Sequence, residues 1–180
     1  LMEEYGKWAT FQCEMKNQRQ ASIKELGFPF EYRPGQKKLV SDVYRTIMRQ
    51  KLLFMQAPTG VGKTISTIFP AVKAVGEELA DRIFYLTAKT ITATVAKETF
   101  ALLEKNGYRA KTIQITAKEK LCPCDEMECN PVTCPYAKGH FDRVNDAVFD
   151  LLHRCEMIER DDILSQADRY TVCPFELCLD

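Results

Sequence analysis

The sequence predicts an α/β fold, in which a parallel sheet carries helices on its faces, followed by an inserted, mostly helical or loop lobe rich in cysteine. Three observations support this prediction. Apolar segments of strand length alternate with segments of helical periodicity between residues 51 and 116, an order typical of parallel sheets. A glycine-rich turn joins the first predicted strand to the next helix. Four of the eight cysteines fall within residues 121–136.

The first 50 residues predict two helices. Apolar side chains recur at roughly helical spacing in the first segment, which predicts a helix over 3–25. One glycine and two prolines between residues 27 and 34 break this pattern. A second helix is therefore predicted over 35–49.

The next segment alternates between strands and helices. Strands are predicted at 52–56, 82–87 and 111–115, and the helices between them at 63–77 and 90–106. Parallel strands joined in this order imply right-handed crossovers. These elements would form the sheet and cover its faces.

Composition indicates a folded chain with an uneven charge distribution. At 180 residues and 46% hydrophobic, the chain can bury a substantial core. Residues 1–120 hold 20 Lys and Arg against 12 Asp and Glu, whereas residues 121–180 hold 5 against 13. The basic part favours a polyanion such as nucleic acid as partner, although an ordinary solvated surface explains the charges equally well.

The sequence predicts a cytoplasmic protein without a membrane segment. It begins with acidic residues where a signal peptide would be basic, and no apolar run approaches membrane-spanning length. In a reducing compartment, eight cysteines indicate metal ligation or thiol chemistry more than disulfides.

A phosphate-binding loop is predicted at 57–64, APTGVGKT, which matches the P-loop pattern with alanine in place of the first glycine. Glycines allow the backbone N–H groups to curl around a triphosphate. Lys63 would bind the β and γ phosphates and Thr64 would place Mg²⁺, so these two are the candidate catalytic residues of an ATP site. The predicted nucleotide contacts in the loop are Ala57, Thr59, Gly60, Val61, Gly62, Lys63 and Thr64.

The loop and the upstream segment YRPGQ together resemble the front of superfamily 2 helicases. The resemblance implies the first part of a RecA-like P-loop NTPase domain at 31–117. It also implies that Gln36 recognises adenine, with Tyr32 and Arg33 nearby. Considered without the resemblance, a glutamine near a helix start is more often a capping or surface residue.

The segment IFYLTAKTIT, residues 83–92, resembles the helicase motif Ia, which contacts the backbone of single-stranded DNA. The resemblance implies DNA contacts from Thr87, Lys89 and Thr90. Hydroxyl groups and a lysine suit phosphate contacts. A strand-to-helix turn capped by Thr90 is the alternative, and the two interpretations are compatible.

The segments KEKLC, ECNPVTCPY and VCPFE resemble the iron–sulfur domain of the DinG and XPD family of superfamily 2 DNA helicases. The match is closest to a bacterial DinG-like group carrying CPYAKGH and VCPFE, and extends from about residue 23 to 180. It implies a [4Fe–4S] cluster held by Cys122, Cys129, Cys134 and Cys173.

Ligand spacing bears on the identity of the metal. Structural zinc usually takes ligands from C-x2–4-C pairs, whereas the four corner irons of a [4Fe–4S] cube accept thiolates at uneven spacing. Residues 129–134 fit a C-x4-C, so zinc stays the alternative cofactor. Cys124 and Cys178 are predicted non-ligands, with Cys124 a possible replacement for Cys122. Cys13 and Cys155 are predicted core thiols.

The resemblance implies part of an ATP-dependent DNA helicase, in which ATP hydrolysis drives 5′ to 3′ movement on single-stranded DNA. The predicted domains are a helix and linker at 1–30, the first part of the ATPase domain at 31–117 and the iron–sulfur lobe at 118–180. The sequence carries no Asp-Glu pair after an apolar strand, since its one adjacent Asp-Glu pair, Asp125 and Glu126, lies in the cysteine loop. A fragment of a longer protein, inactive in isolation, is therefore expected. The rival hypotheses are a P-loop ATPase with a zinc-bound interaction lobe, and a non-enzymatic binding module.

Overall fold

Helices dominate the computed structural model, which describes residues 2–88 and 90–180. Its helices are α1 Met2–Glu25, α2 Gln36–Met48, α3 Lys63–Gly76, α4 Thr90–Lys105, α5 Lys118–Leu121, α6 His140–Arg154, α7 Arg160–Tyr170 and α8 Pro174–Leu179. Its strands are β1 Thr112–Ile113 and β2 Met157–Ile158. The first four helices confirm the sequence predictions to within one residue at each end. None of the helices in the described ranges is long and apolar enough to cross a membrane.

The predicted α/β fold with a covered parallel sheet is wrong. Residues 52–56 and 82–87 have no regular secondary structure. Of the third predicted strand, 111–115, only β1 is a strand, and it pairs in parallel with β2. Within the described residues, the sheet consists of these two strands. The chain is 58% helical. The partial RecA-like domain predicted for 31–117 is therefore not what the structure shows.

The failed strands are apolar segments without a pairing partner. A strand makes no hydrogen bonds within itself, so it forms only beside another strand. Leu52 and Phe54 in the first segment are 87% and 93% exposed, and Phe84 and Leu86 in the second are 71% and 88% exposed. The apolar runs fit the strands of a buried sheet, but the local sequence does not contain the partner that a sheet requires, and these side chains are exposed.

The first of two compact units runs to Ala110 and is built around α3. Helices α1, α2 and α4 all contact α3. Gly76 permits the close approach of α1, because a Cβ at this position would lie 2.3 Å from Cγ2 of Ile23. Lys73 donates hydrogen bonds to the carbonyls of Ile23 (2.7 Å), in the last turn of α1, and of Leu26 (3.0 Å), directly after this helix. The buried core comprises Ile23, Leu26, Ile65, Ile68, Phe69, Val72, Val75, Ala96, Leu103 and Tyr108.

The second unit, Lys111–Asp180, contains α5 to α8 and the paired strands. It begins a few residues before the predicted lobe boundary at 118, because β1 belongs to it. Lys111 donates hydrogen bonds to the carbonyl of Cys155 (2.9 Å) and to Glu156 (3.1 Å), next to β2. The buried core comprises Leu121, Val144, Ala147, Leu151, Ile158, Ile163, Ala167, Val172, Leu177 and Cys178.

A fully buried glutamine joins α7 to α6 in this second core. The Gln166 amide donates to the carbonyl of Ala147 (2.6 Å) and to Oδ2 of Asp150 (3.0 Å), and it accepts from the Arg154 guanidinium. The hydrogen bond from Gln166 and the charges of Arg154 and Arg169 hold the pKa of Asp150 below its usual range. Every polar group of the buried amide is thereby bonded, as a buried polar side chain requires.

Replacement of Gln166 by alanine is expected to destabilise the second unit by about 2–4 kcal/mol, because it leaves a cavity and removes the hydrogen bonds of the Ala147 carbonyl and Asp150. Urea unfolding followed by circular dichroism measures this effect. Ser165→Ala, at an exposed position of the same helix, is the matched control and should change the free energy of unfolding little. Equal unfolding curves for the two variants would contradict the role of Gln166.

Candidate functional site

The predicted phosphate-binding loop leads directly into α3. Gly60 and Gly62 adopt left-handed backbone angles, with φ of +85° and +78°. Gly62 is the N-cap of α3, and the described side chains provide no cap for the first N–H groups of this helix. Free N–H groups and the positive end of the helix dipole favour an anion at such a position. The loop therefore has the backbone features of a phosphate site.

Gln36 connects the start of α2 to this loop. Its side chain is buried, Oε1 accepts from the backbone N–H of Arg33 (3.0 Å), and Nε2 donates to the carbonyl of Val61 (3.0 Å). A Cβ on Gly62 would lie 2.6 Å from Nε2, so this close contact requires glycine there. Adenine recognition by Gln36 stays a prediction, and it requires the amide to exchange both partners for the base.

The two other residues predicted near the base lie next to Gln36 in the chain. The Arg33 guanidinium donates a hydrogen bond to the carbonyl of Gly60. The Tyr32 ring stacks on Phe28, with 4.3 Å between ring centroids and 13° between the planes. Phe28 itself packs edge-on against Phe69 of α3. Arg33 and Gln36 thus both hold the loop backbone, while Tyr32 is anchored through Phe28.

Lys63 folds back onto the loop that precedes it. Its Nζ donates to the carbonyls of Ala57 (3.2 Å) and Pro58 (3.0 Å), and the side chain is otherwise exposed. Thr64 is half-buried in the first turn of α3, and Thr59 is exposed in the turn before Gly60. A bound phosphate would have to replace the two carbonyls as partner of the Lys63 ammonium group.

The segment predicted to contact DNA is described only in part. Thr87 is half-buried in a non-helical, non-strand segment, and Thr90 is the first residue of α4. Lys89 lies outside the described residues. Because 82–87 is not a strand, Thr87 does not lie at the carboxyl end of a sheet strand, where open α/β sheets bind ligands.

The second unit contains a cavity of about 280 Å³ whose lining includes five of the eight cysteines. These five are Cys122, Cys124, Cys129, Cys134 and Cys173. All four cysteines that the helicase resemblance selects are therefore brought together. Cys178 is buried in the helical core and Cys155 packs against it. Cys13 is exposed on α1, so its prediction as a core thiol is wrong.

Different local structures position the thiols around the cavity. Cys122 follows the last residue of α5, and its N–H donates to the carbonyl of Lys118 (2.8 Å). Cys134 ends a turn that begins at Asn130, the residue after Cys129. In this turn the N–H of Cys134 donates to the carbonyl of Asn130 (2.8 Å). Cys173 directly precedes α8. Cysteines that are distant in the sequence thus reach one cavity, because short turns and helix ends fix each of them.

The thiols influence one another and a neighbouring lysine. Sγ of Cys124 lies 4.0 Å from Sγ of Cys134. Burial, together with the neighbouring Cys134 and Cys122, raises the pKa of the Cys124 thiol to about 11. A hydrogen bond to the Cys129 sulfur raises the pKa of the Lys118 amine. A cation therefore stands beside the thiols, where it would stabilise thiolate ligands.

The cavity cysteines are donors that suit both candidate cofactors, an iron–sulfur cluster and zinc. Iron–sulfur clusters are held by cysteine thiolates, one on each of four irons, and four predicted ligands line the cavity. A tetrahedral zinc ion needs four donors about 2.3 Å from one point. Across residues 2–88 and 90–180, no group of three or more His, Cys, Asp or Glu side chains is arranged to hold one metal ion.

His140 is part of this site, although the sequence analysis did not select it. Its ring is buried, Nδ1 accepts the backbone N–H of Cys173 (3.2 Å), and Nε2 lies 3.5 Å from Oδ2 of Asp180. The helical spacing of His140, Val144 and Ala147, all buried on α6, is the sequence signal that places it inside. His140 therefore positions the Cys173 loop at the cavity.

Replacement of His140 by phenylalanine is expected to reduce iron binding after reconstitution about tenfold or more, because the buried N–H of Cys173 loses its acceptor. The measurement is iron per chain after incubation with ferrous iron and sulfide. His153→Phe, at an exposed position of the same helix, is the control. His140→Asn restores an acceptor near Nδ1 and should recover part of the binding; equal loss in both His140 variants would contradict the positioning role.

Comparison with known proteins gives no relative. No family model matches the chain, and no curated protein and no solved structure is significantly similar to it. The assignment of a function therefore depends on the two sites described above and on the motif resemblance.

Proposed function

We propose that this chain is part of an ATP-dependent DNA helicase, to which it contributes the nucleotide-binding loop and an iron–sulfur lobe. In this proposal ATP hydrolysis drives 5′ to 3′ movement along single-stranded DNA and unwinding of duplex DNA. The observation that carries it is the shared cavity of Cys122, Cys129, Cys134 and Cys173, which come from three separate segments of the sequence. Those four residues are the ligands that the helicase resemblance implies.

The nucleotide-binding part of the proposal is supported by the loop before α3. Lys63 already lies over the loop, and it would exchange the carbonyls of Ala57 and Pro58 for the β and γ phosphates. Thr64, in the first helical turn, would offer its hydroxyl to Mg²⁺. Backbone N–H groups at the start of α3 would bind the remaining phosphate charge.

The metal-binding part of the proposal is supported by the type and number of the cysteine donors. The four cysteines would hold a [4Fe–4S] cluster, which supplies a rigid inorganic core to which distant segments are tied. Lys118 contacts the Cys129 sulfur and would balance part of the thiolate charge. His140 would orient the Cys173 loop from behind.

The DNA-binding part of the proposal is supported by the excess of basic residues in the first 120 positions. Residues 1–120 carry 20 Lys and Arg against 12 Asp and Glu, which favours phosphate contacts that are independent of base sequence. Thr87, Lys89 and Thr90 are the residues that the motif resemblance assigns to such contacts.

The test is binding of Mg–ATP and of a single-stranded oligonucleotide to the same preparation, purified without oxygen. We expect weak binding of ATP, measured by displacement of a fluorescent analogue, without hydrolysis by these 180 residues. We also expect oligonucleotide binding, measured by fluorescence anisotropy, that weakens as salt rises. Failure of both ligands to bind would overturn the proposed function. Turnover of ATP that Lys63→Ala abolishes would show that this chain is sufficient for hydrolysis.

A further inference from the structure

We propose that Cys124 and Cys134 form a reversible disulfide when the thiol cavity holds no metal group, and that this bond prevents iron from entering. The cavity lining offers five cysteines, whereas a [4Fe–4S] cluster uses four. Cys124 is the surplus thiol, since the helicase resemblance does not select it. The disulfide gives this fifth thiol a function in the same cavity.

The geometry favours this pair over the other thiols. Sγ of Cys124 and Sγ of Cys134 are 4.0 Å apart, and a disulfide requires about 2.05 Å. Both residues lie in backbone without helix or strand, so side-chain rotation and small loop shifts can bring the sulfurs together. The Cys122 thiol also interacts with the Cys124 thiol, but it lies against the carbonyl of Cys124 as well, at 3.9 Å. Cys129 is in contact with Lys118.

The disulfide and the proposed cluster exclude each other because both use Cys134. A thiolate bound to iron is not available for oxidation, and a sulfur in a disulfide does not bind iron. Loss of the metal group would therefore expose the pair to oxidation, and the disulfide would keep the cavity closed to iron until a reductant opens it. The exclusion of iron depends on the proposed function, whereas formation of the disulfide requires the thiols alone.

The oxidant we assign is a peroxide. One thiolate of the pair attacks hydrogen peroxide, the O–O bond breaks, and a sulfenic acid and hydroxide form. The second sulfur then attacks the sulfenic sulfur, and the hydroxyl group leaves with the second thiol's proton as water. Overall two thiols lose two electrons and two protons, and one peroxide becomes two waters. A dithiol or glutathione reverses the bond by thiol exchange.

The experiment begins with the metal-free, reduced full chain, treated with a small excess of hydrogen peroxide and then alkylated. Cleavage after Glu126, Glu128 and Glu156 separates the peptide containing Cys122 and Cys124 from the one containing Cys129, Cys134 and Cys155. We expect these two peptides to be joined, about 2 Da lighter than their sum, and to separate with dithiothreitol. The link should be absent in Cys124→Ser and in Cys134→Ser, and present in Cys122→Ser and Cys129→Ser. No link in the wild-type chain, or a link that survives Cys124→Ser, would overturn the disulfide.

Iron uptake then tests the exclusion separately. Reduced and peroxide-treated chains are each incubated with ferrous iron and sulfide without added thiol. We expect the treated wild-type chain to bind less than about one tenth of the iron of the reduced chain, and dithiothreitol to restore uptake. Equal uptake by the linked and reduced chains would overturn the exclusion. A link that forms in a chain that takes up no iron even when reduced would refute the iron–sulfur lobe and leave the disulfide standing.

Discussion

Replacement of Cys134 by serine is expected to remove nearly all bound iron, from about four atoms per chain to less than one. Serine is a poor ligand for iron–sulfur clusters, and three remaining thiolates leave one corner iron exposed. Cys134 lines the cavity and ends the turn that begins at Asn130, so its thiol is held in place there. Iron analysis and the visible spectrum after anaerobic purification measure the loss.

The other cysteines provide graded controls for this result. Cys13→Ser, at an exposed position of α1, should leave iron content unchanged. Cys122→Ser and Cys124→Ser decide which of these neighbours is the ligand, because only the ligand variant should lose iron. Retention of full iron content in Cys134→Ser would refute the cluster assignment.

Replacement of Lys63 by alanine is expected to weaken binding of Mg–ATP by about tenfold to a hundredfold. The physical reason is the loss of an ammonium group at the loop. Lys63 holds this group against the carbonyls of Ala57 and Pro58. A cation held at this place meets the most negative part of the triphosphate. Displacement of a fluorescent nucleotide analogue measures the change in Kd.

Lys51→Ala is the matched control, because this lysine is exposed in the same unit and outside the loop. It should change the Kd for ATP less than about twofold, as expected for a charge remote from the phosphates. Comparable weakening by Lys51→Ala and Lys63→Ala would indicate a general charge effect, contrary to the proposed role of the loop.

The fold could be predicted from sequence where structure depends on local interactions. Helices α1 to α4 form their hydrogen bonds within the segment, and their apolar periodicity and glycine or proline breaks are visible in the chain. The strands predicted at 52–56 and 82–87 depend on pairing with other segments, which periodicity does not encode. The exposure of Phe54 and Phe84 shows the result: apolar residues suited to a sheet, without one.

The candidate sites divide in a similar way. The phosphate loop was recognisable from sequence because its glycines and Lys63 are contiguous. Gln36 was selected from its motif, yet its bonds to Arg33 and Val61 depend on how α2 packs beside the loop. Gln166 was not selected, because the burial of this polar residue depends on partners far along the chain. The helical spacing of His140 with Val144 and Ala147 indicates its burial, but its hydrogen bond with Cys173 depends on the packed second unit. Their roles required the packed second unit.

The most direct test of the account is metal analysis of the chain purified without oxygen, combined with its visible absorption spectrum. The account predicts a brown protein with about four irons and four sulfides per chain. A colourless protein containing one zinc per chain would contradict it and favour an ATPase with a zinc-bound lobe.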